Sequence, residues 1–216
     1  MITSLPGPVR RWSRSDRWFE RAFLNELTPS LSPPHADQIP AQASALFTSE
    51  QSTVSDAPSQ MLLLLVCYVL AAYRGLVGLG IPPETAKQQV TRALIEPNRR
   101  AAHFFTRATL LFSRDRLATI RRTTERLEQT VYGHWFTFRY EDQGPTGFVA
   151  VVERCGLYDL LARHGEPGLT EAFCAWDSAW SSAISPGRHG VRFEMEGTIA
   201  QGCSSCRFCF TRADAA

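Results

Sequence analysis

The stretch WFTFRYEDQGPTGFVAVV, residues 135–152, marks the point where the chain changes from helix to strand. Aromatic and β-branched residues fill both of its ends, and the turn-forming residues 142–145 between them are typical of a hairpin connection. Similar strand patterns recur at 191–200 and 205–211, joined around Gly202. These segments predict a four-stranded, mainly antiparallel C-terminal sheet in an α+β fold.

Two short helices are predicted between the second and third of these strands. They cover 157–163 and 170–183, and the turn formers of 165–168 separate them. Before residue 135 the apolar side chains instead recur at helical spacing. We therefore expect an N-terminal helical layer that packs on the sheet.

A strongly apolar run, residues 61–73, predicts a buried core helix that begins after Ser59 and ends at Gly80. The 13 residues of this run are fewer than the roughly 20 that a bilayer requires. No membrane span is therefore expected.

Two helical segments are predicted between this core helix and the sheet. The first opens at Pro83 and is expected to end near Leu94, before Pro97. The second runs from about Arg99 to about Tyr132, with a break near 113–115. Seven apolar residues are expected to form its buried stripe: Phe104, Phe105, Leu110, Leu111, Leu117, Ile120 and Leu127.

Residues 1–58 are expected to form an N-terminal arm ahead of a single α+β domain over 59–216. Proline, serine and other polar residues over 29–59 predict a Pro/Ser-rich linker or an irregular but ordered arm. Near the start, a short basic amphipathic helix is expected to pack its aromatic rings on the core, with a membrane-surface or partner-binding role as the alternative. This helix draws on Arg10, Arg11, Trp12, Arg14, Arg17, Trp18, Phe19 and Arg21.

The composition is that of an ordinary soluble protein. Of its 216 residues 44% are hydrophobic, and 23 basic and 21 acidic side chains leave a net charge of +2. No basic stripe interleaved with aromatic residues runs through the body of the chain, so nucleic acid is not expected as a partner. No apolar signal segment opens the sequence, and the six cysteines are expected to be reduced in the cytoplasm. A homo-oligomer stays open.

Reactive side chains concentrate in the last third of the chain. Cys174 and Asp177 lie three residues apart on a predicted helix and so share one face. Strand alternation along 205–211 places Cys206 on the core side and Cys209 on the opposite side. A thiol and a carboxylate in one pocket supply a nucleophile and a proton carrier.

Several short motifs in this region occur together. Taken together they resemble the L-2-amino-thiazoline-4-carboxylic acid hydrolase family, over roughly residues 60–211, and the C-terminal part is the specific half. The motifs are Glu153-Arg154-Cys155, Phe173-Cys174-Ala175-Trp176-Asp177 with Trp180, Phe193, Thr198-Ile199-Ala200-Gln201-Gly202 and Cys206-Arg207-Phe208, preceded by residues 70–76 and 80–86.

The resemblance implies hydrolytic opening of a small sulfur-containing cyclic amidine without an organic cofactor. Cys174 or Cys206 would act as the thiolate nucleophile and Asp177 as a base or orienting acid. Cys155 and His134 complete the set of catalytic candidates. Relatives used in specialised, natural-product metabolism would keep the scaffold and change the reaction, for example to a cyclisation.

The substrate-binding candidates surround this catalytic set in the sequence. Arg154 or Arg192 would pair with a substrate carboxylate, because guanidinium groups bind carboxylates through two hydrogen bonds. Trp176, Trp180 and Thr198 are the further candidates, and the two tryptophans form one aromatic ridge on their helix.

Two alternatives stay open. Cys155, Cys174, Cys203 and Cys206 match the ligand types of a four-thiolate zinc site, although a second Cys-x-x-Cys pair is missing. The Gly-x-x-x-Cys-x-Phe pattern that starts at Gly202 also resembles the 4-vinyl reductase domain, a small-molecule-binding module. In that interpretation the protein is a non-catalytic or zinc-stabilised accessory module.

Overall fold

A computed structural model describes residues 14–27, 29, 31 and 33–213 of the protein. Within these residues the chain forms eight α-helices and four β-strands, with five of the helices ahead of the sheet. The helices are α1 (Arg14–Leu27), α2 (Pro33–Glu50), α3 (Ala57–Gly78), α4 (Pro83–Leu111), α5 (Arg116–Leu127), α6 (Gly156–Arg163), α7 (Glu171–Ser181) and α8 (Pro186–His189).

Helix α3 forms the centre of the core. Asp56 caps its first turn by accepting the Ser59 N–H at 3.0 Å, and Pro58 occupies the first turn, where no helical N–H bond is lost. The helix ends where Gly80 adopts a positive φ of 84° and donates its N–H to the carbonyl of Val77. Among the described helices, α3 is the one long and apolar enough to cross a membrane, and 61% of its apolar window is buried inside the fold.

The expected linker over 29–59 is wrong for residues 33–50, which form α2 with Pro40 inside it. The helix forms because Ile39 and Ala43 bury completely in the α3 core, and this burial outweighs the hydrogen bond that the proline removes. The predicted basic helix is α1, although its Arg10, Arg11 and Trp12 lie outside the described residues. The domain boundary at residue 58 stays a prediction.

Helix α4 differs from the expectation in two ways. It continues through Pro97, because its packing against α1, α3 and α7 holds both sides of the proline. Its second half also exposes residues expected in the core: Phe104 and Phe105 are each 67% exposed, since no described element covers that face. Leu111 is exposed too, whereas Leu110 packs on the sheet with Leu117 and Ile120 of α5.

The sheet confirms the predicted α+β architecture. It is fully antiparallel with strand order β1-β2-β4-β3, and α6, α7 and α8 are inserted between β2 and β3. One face packs on the helices. The other face carries ion pairs among Arg139, Glu141 and Arg207 above the buried side chains of Val149 and Val151. The strands are β1 (Phe136–Asp142), β2 (Gly147–Cys155), β3 (Val191–Glu196) and β4 (Cys206–Arg212).

Candidate active site

A cavity of about 310 Å³ lies between the helical layer and the sheet. Its walls come from α1, α3, α4 and α7 on one side and from β1, β2 and β4 on the other. Most of the lining is apolar or aromatic, as in sites that enclose small molecules. Its polar side chains include Asn98, Tyr132, Thr170, Asp177 and three cysteines.

Asp177 is the ionisable carboxyl group in this lining. Its Oδ1 accepts a hydrogen bond from the Tyr132 hydroxyl at 2.9 Å and one from Trp180 Nε1 at 3.4 Å. Burial raises the pKa of Asp177 from its ordinary value of 3.8 to about 6, and the two hydrogen bonds lower it in part. The carboxyl group therefore exchanges its proton close to neutral pH.

Tyr132 lies in a single π-helical turn, Glu128–Tyr132, that follows α5. Its ring packs against Phe136 and Phe138 of β1, with centroids 5.0 and 5.2 Å away. Burial and the charge of Asp177 hold the pKa of Tyr132 well above its usual range, so the phenol stays a hydrogen-bond donor. Such π turns are frequent at functional sites.

A hydrogen-bonded junction fixes the chain just after Tyr132. Asp56 accepts the N–H of His134 at 3.1 Å, and the Ser59 hydroxyl accepts the N–H of Trp135 at 3.2 Å. Gly133 has a positive φ of 61°, and a Cβ there would collide with the Asp56 carboxylate. The cap of α3 thus also holds the turn that delivers Tyr132 to the cavity.

Three thiols line the cavity with Asp177, from Cys155, Cys174 and Cys206. Burial and the charge of Asp177 raise the pKa of Cys174 to about 12. Burial likewise raises the pKa of Cys155 to about 12, although the N–H groups at the start of α6 favour its thiolate. Both groups are therefore neutral thiols until a bound molecule or a base changes their surroundings.

Cys206 is the third of these thiols, and its sulfur also accepts a backbone hydrogen bond. Its Sγ accepts the backbone N–H of Ile199 at 3.2 Å. Burial raises the pKa of Cys206, and this hydrogen bond opposes the rise. Thr198, the residue before Ile199, is buried and bonds to the Cys174 side chain.

The structure brings most of the predicted site residues together. Cys155, Cys174, Trp176, Asp177 and Cys206 all line the cavity. Trp180 and Thr198 lie behind this lining and bond to Asp177 and Cys174 respectively. Cys209 packs with Val149 and Val151 on the opposite face of the sheet, as the strand alternation predicted.

Three candidates lie outside the cavity lining. The His134 side chain is 88% exposed beside Asp56, with Nδ1 3.8 Å from a carboxylate oxygen. Arg154 pairs with Asp159 at 2.9 Å on the surface. Arg192 lies 3.8 Å from Glu194 on β3. Among the described residues no lysine, arginine or histidine lines the cavity.

Sequence reasoning missed three polar residues of the cavity, Asn98, Tyr132 and Thr170. Tyr132 gives no motif signal, because its role depends on the π turn and on a partner 45 positions later. Thr170 ends the turn before α7, and its buried Oγ1 has no hydrogen-bond partner among the described residues. An unpaired buried hydroxyl facing a cavity is a ready contact for a bound polar group.

The described residues contain no group of three or more His, Cys, Asp or Glu side chains placed to hold a metal ion. Cys203, one of the four cysteines of the zinc alternative, is exposed and is not among the lining residues. The four cysteines do not converge in the way that a tetrahedral zinc site requires.

Comparison with known proteins shows the family of the chain. None of the curated proteins matches the chain at a significant level. The profile of one family, described as L-2-amino-thiazoline-4-carboxylic acid hydrolase, matches residues 62–210. This match covers more than half of the chain and includes all the lining residues of the cavity except Trp18, Phe19 and Met61. The chain therefore belongs to the L-2-amino-thiazoline-4-carboxylic acid hydrolase family.

Proposed function

We propose that the protein hydrolyses a small cyclic amidine in this cavity, with Asp177 as the proton carrier and Cys174 as the nucleophile. The observation that carries the proposal is a carboxyl group with a pKa near neutrality, in an apolar cavity that it shares with the Cys174 thiol. General acid–base catalysis is most effective when the pKa of the group lies near the working pH.

One carboxylate oxygen of Asp177 is hydrogen-bonded within the protein, and the other is available to a bound molecule. Oδ1 accepts both recorded hydrogen bonds, from Tyr132 and Trp180. Oδ2 accepts no hydrogen bond from the described residues, and this atom is not fully buried. A bound amidine would place an N–H group on Oδ2, and a protonated amidine is the more electrophilic form at its central carbon.

The first chemical step joins Cys174 to the carbon between the ring nitrogen and sulfur. Its Sγ–C bond forms while Asp177 takes the thiol proton, and the ring C–S bond then breaks as Asp177 returns the proton to the leaving sulfur. The pKa of Cys174, about 12, lies well above the pKa of Asp177, about 6, so uncoupled transfer of the thiol proton to Asp177 is strongly unfavourable. Transfer coupled to bond formation avoids that intermediate.

The second step releases the product. Water attacks the amidine carbon bound to Cys174. One of its protons passes through Asp177 to the departing Cys174 sulfur, and the other passes to the amidine nitrogen. The product is an opened urea that carries a free thiol. Substrate and one water balance the product, so no oxidant or reductant enters the reaction.

Cys206 is a second candidate nucleophile because of its bond to the Ile199 N–H. A backbone donor at a sulfur stabilises the thiolate that attack would require. Cys174 stays the leading candidate, since it lies one helical turn before Asp177 on the same face of α7.

The substrate that this lining favours has no free carboxylate. A substrate carboxylate would enter an apolar cavity beside Asp177, with no cationic partner among the described lining residues. Burying a charge without a partner costs several kcal/mol. We therefore propose a cyclic amidine with an apolar substituent in place of the carboxylate, whose amidine nitrogens reach Asp177 and the Thr170 hydroxyl.

A ring-closing reaction is the other direction that this site would support. The same proton transfers run in reverse, because a group that donates a proton in one direction accepts it in the other. The volume of about 310 Å³ exceeds that of a bare five-membered ring and leaves room for a larger precursor. A cyclase role in natural-product metabolism therefore rests on the same residues.

Released thiol gives a direct test. Catalytic amounts of protein are mixed with a 2-aminothiazoline that carries either a 4-alkyl group or a 4-carboxylate, and a disulfide dye reports the new thiol. We expect kcat/KM for the alkyl compound to be at least about tenfold higher, which corresponds to 1.4 kcal/mol. A preference for the carboxylate would overturn the substrate proposal.

The control variant is Cys209→Ser, which removes a thiol on the opposite face of the sheet and should keep the wild-type rate. Cys174→Ser should lose activity with either compound. If both compounds bind and wild-type protein releases no thiol, the non-catalytic binding module becomes the better interpretation.

A further inference from the structure

A second concave site lies on the far side of α4 from the cavity. We call it the arginine cleft, and it is lined by Arg100, Arg107, Arg116 and Arg188 together with the rings of Phe104 and Phe112. Its volume is about 580 Å³, and α4, the start of α5 and α8 form its walls. The cleft shares no lining residue with the cavity around Asp177.

The four arginines of the cleft have no carboxylate partner. No ion pair joins any of them to a described Asp or Glu, and no described acidic residue lines the cleft. Several arginines elsewhere are paired with carboxylates, as Arg121 is with Asp142 and Arg212 with Asp115. Four like charges around one concavity repel one another until an anion binds between them.

His189 at the base of the cleft reports this positive potential. The ring is buried, and its Nδ1 accepts the Ser185 N–H at 3.0 Å. Burial lowers the pKa of His189, and the charges of Arg116, Arg188 and Arg107 lower it further. These guanidinium groups therefore act on the same small volume from α4, α5 and α8.

Apolar side chains lie among the arginines of the cleft. Phe104 is 67% exposed and Phe112 is 85% exposed, and Leu111 lies between them on the rim. Along α4, Arg100, Phe104, Arg107 and Leu111 follow the spacing of one helical face. Large apolar side chains left open to water beside a charged cleft are typical of a binding site.

We propose that the arginine cleft binds an organic diphosphate with an apolar or aromatic body. A guanidinium group binds phosphate oxygens through paired hydrogen bonds, and two arginines for each phosphate match the four that are present. The body of the ligand would lie against Phe104 and Phe112. A second copy of this chain fits poorly, because a twofold contact at this surface would set arginines against arginines.

This inference goes beyond the proposed ring opening and does not depend on it. The two sites are neighbours along α4, since Asn98 of this helix lines the cavity and Arg100 lines the cleft. His103 of the cleft also contacts the Ala179 carbonyl of α7 at 2.6 Å, two residues after Asp177. A cleft ligand would therefore be a separate molecule bound next to the catalytic helix.

Calorimetric titration of the full chain with adenosine diphosphate tests the proposal, with inorganic pyrophosphate as the probe for the phosphate part alone. We expect saturable binding of adenosine diphosphate that weakens as salt rises. Pyrophosphate should bind about tenfold more weakly, which is the 1.4 kcal/mol scale of one ring contact. Absence of saturable binding, or equal binding of the two probes, would overturn the assignment.

Three variants locate the binding. Arg107→Gln and Arg188→Gln should each weaken adenosine diphosphate binding by roughly tenfold, since a charged hydrogen bond contributes about 1.5–3 kcal/mol. Arg92→Gln makes the same charge change on α4, 75% exposed and outside the cleft, and should leave binding unchanged. The side chains of the two cleft arginines make no hydrogen bond to the described residues, so all three variants should keep the wild-type melting temperature. Equal weakening in all three would contradict a specific cleft.

A membrane surface also offers phosphate groups and apolar chains, and it is a separate outcome of the test. Sedimentation with phosphatidylglycerol vesicles measures it directly. We expect only non-specific electrostatic binding to these vesicles. The Arg92→Gln and Arg107→Gln variants should therefore bind them equally. Vesicle binding that Arg107→Gln abolishes, together with no binding of adenosine diphosphate, would overturn the proposal.

Discussion

Replacing Asp177 by Asn should raise stability and abolish activity in the same variant. Asn keeps the size of the side chain and an oxygen for the Tyr132 and Trp180 hydrogen bonds. It removes the charge that burial disfavours. A pKa raised from 3.8 to about 6 corresponds to about 3 kcal/mol against the ionised form in the folded protein.

The stability gain should depend on pH with a defined sign. The folded protein keeps the Asp177 proton up to pH about 6, whereas the unfolded chain releases it near 3.8. The free energy of unfolding of the wild type therefore falls as pH rises between these values and then stays level. The Asn variant lacks this fall, so it should gain up to about 3 kcal/mol at pH 7.5 and almost nothing at pH 4.

Urea unfolding at the two pH values measures the gain, and thiol release from the alkyl aminothiazoline measures the activity. Loss of a general base lowers the rate by roughly 10²–10⁴-fold. Asp159→Asn is the control, because it removes a surface carboxylate paired with Arg154 and should keep the wild-type rate. An Asp177→Asn variant that is less stable at pH 7.5, or that turns over at the wild-type rate, would refute the reasoning.

Three further predictions concern the surroundings of Asp177. In the wild type kcat/KM should fall below pH about 6 as Asp177 gains its proton. The Tyr132 hydrogen bond lowers the pKa of Asp177, so Tyr132→Phe should raise that pKa and move the fall to higher pH. A pH profile of each protein decides. Gly156→Ala should lose roughly 1–3 kcal/mol of unfolding free energy in urea, since the new Cβ would overlap the Trp135 ring, and unchanged stability would contradict that close approach. Iodoacetamide at pH 7 should alkylate exposed Cys203 first and Cys174 much more slowly, because burial raises the pKa of the Cys174 thiol to about 12; peptide mass mapping shows the order, and fastest labelling of Cys174 would contradict it.

The strands and the face of α7 that lines the cavity could be predicted because their signals are local. Alternating side chains fix which face of β4 carries Cys206, and a three-residue spacing places Cys174 and Asp177 together. Both features are present in the structure. Helix α2 was missed because its sequence has little apolar periodicity. The helix is stabilised by burial against α3, and that contact exists only in the tertiary fold.

The partners of the site residues could not be predicted from local signals. Arg154 stands beside Cys155 in the sequence, yet strand alternation sends it to the surface, where it pairs with Asp159. Tyr132 reaches Asp177 only through a π turn held by Asp56 and Ser59. The exposed half of α4 had the same apolar spacing as a buried helix, and spacing alone does not show whether a neighbour covers it.

The covalent intermediate on Cys174 is the most direct test of the proposed chemistry. Wild-type protein is mixed with excess 4-alkyl aminothiazoline, quenched in acid within the first turnovers and mapped by peptide mass. We expect the peptide that contains Cys174 to gain the mass of one whole substrate, and no peptide of Cys174→Ser to gain it. Turnover at the wild-type rate in Cys174→Ser, or the added mass on Cys206 alone, would contradict the account.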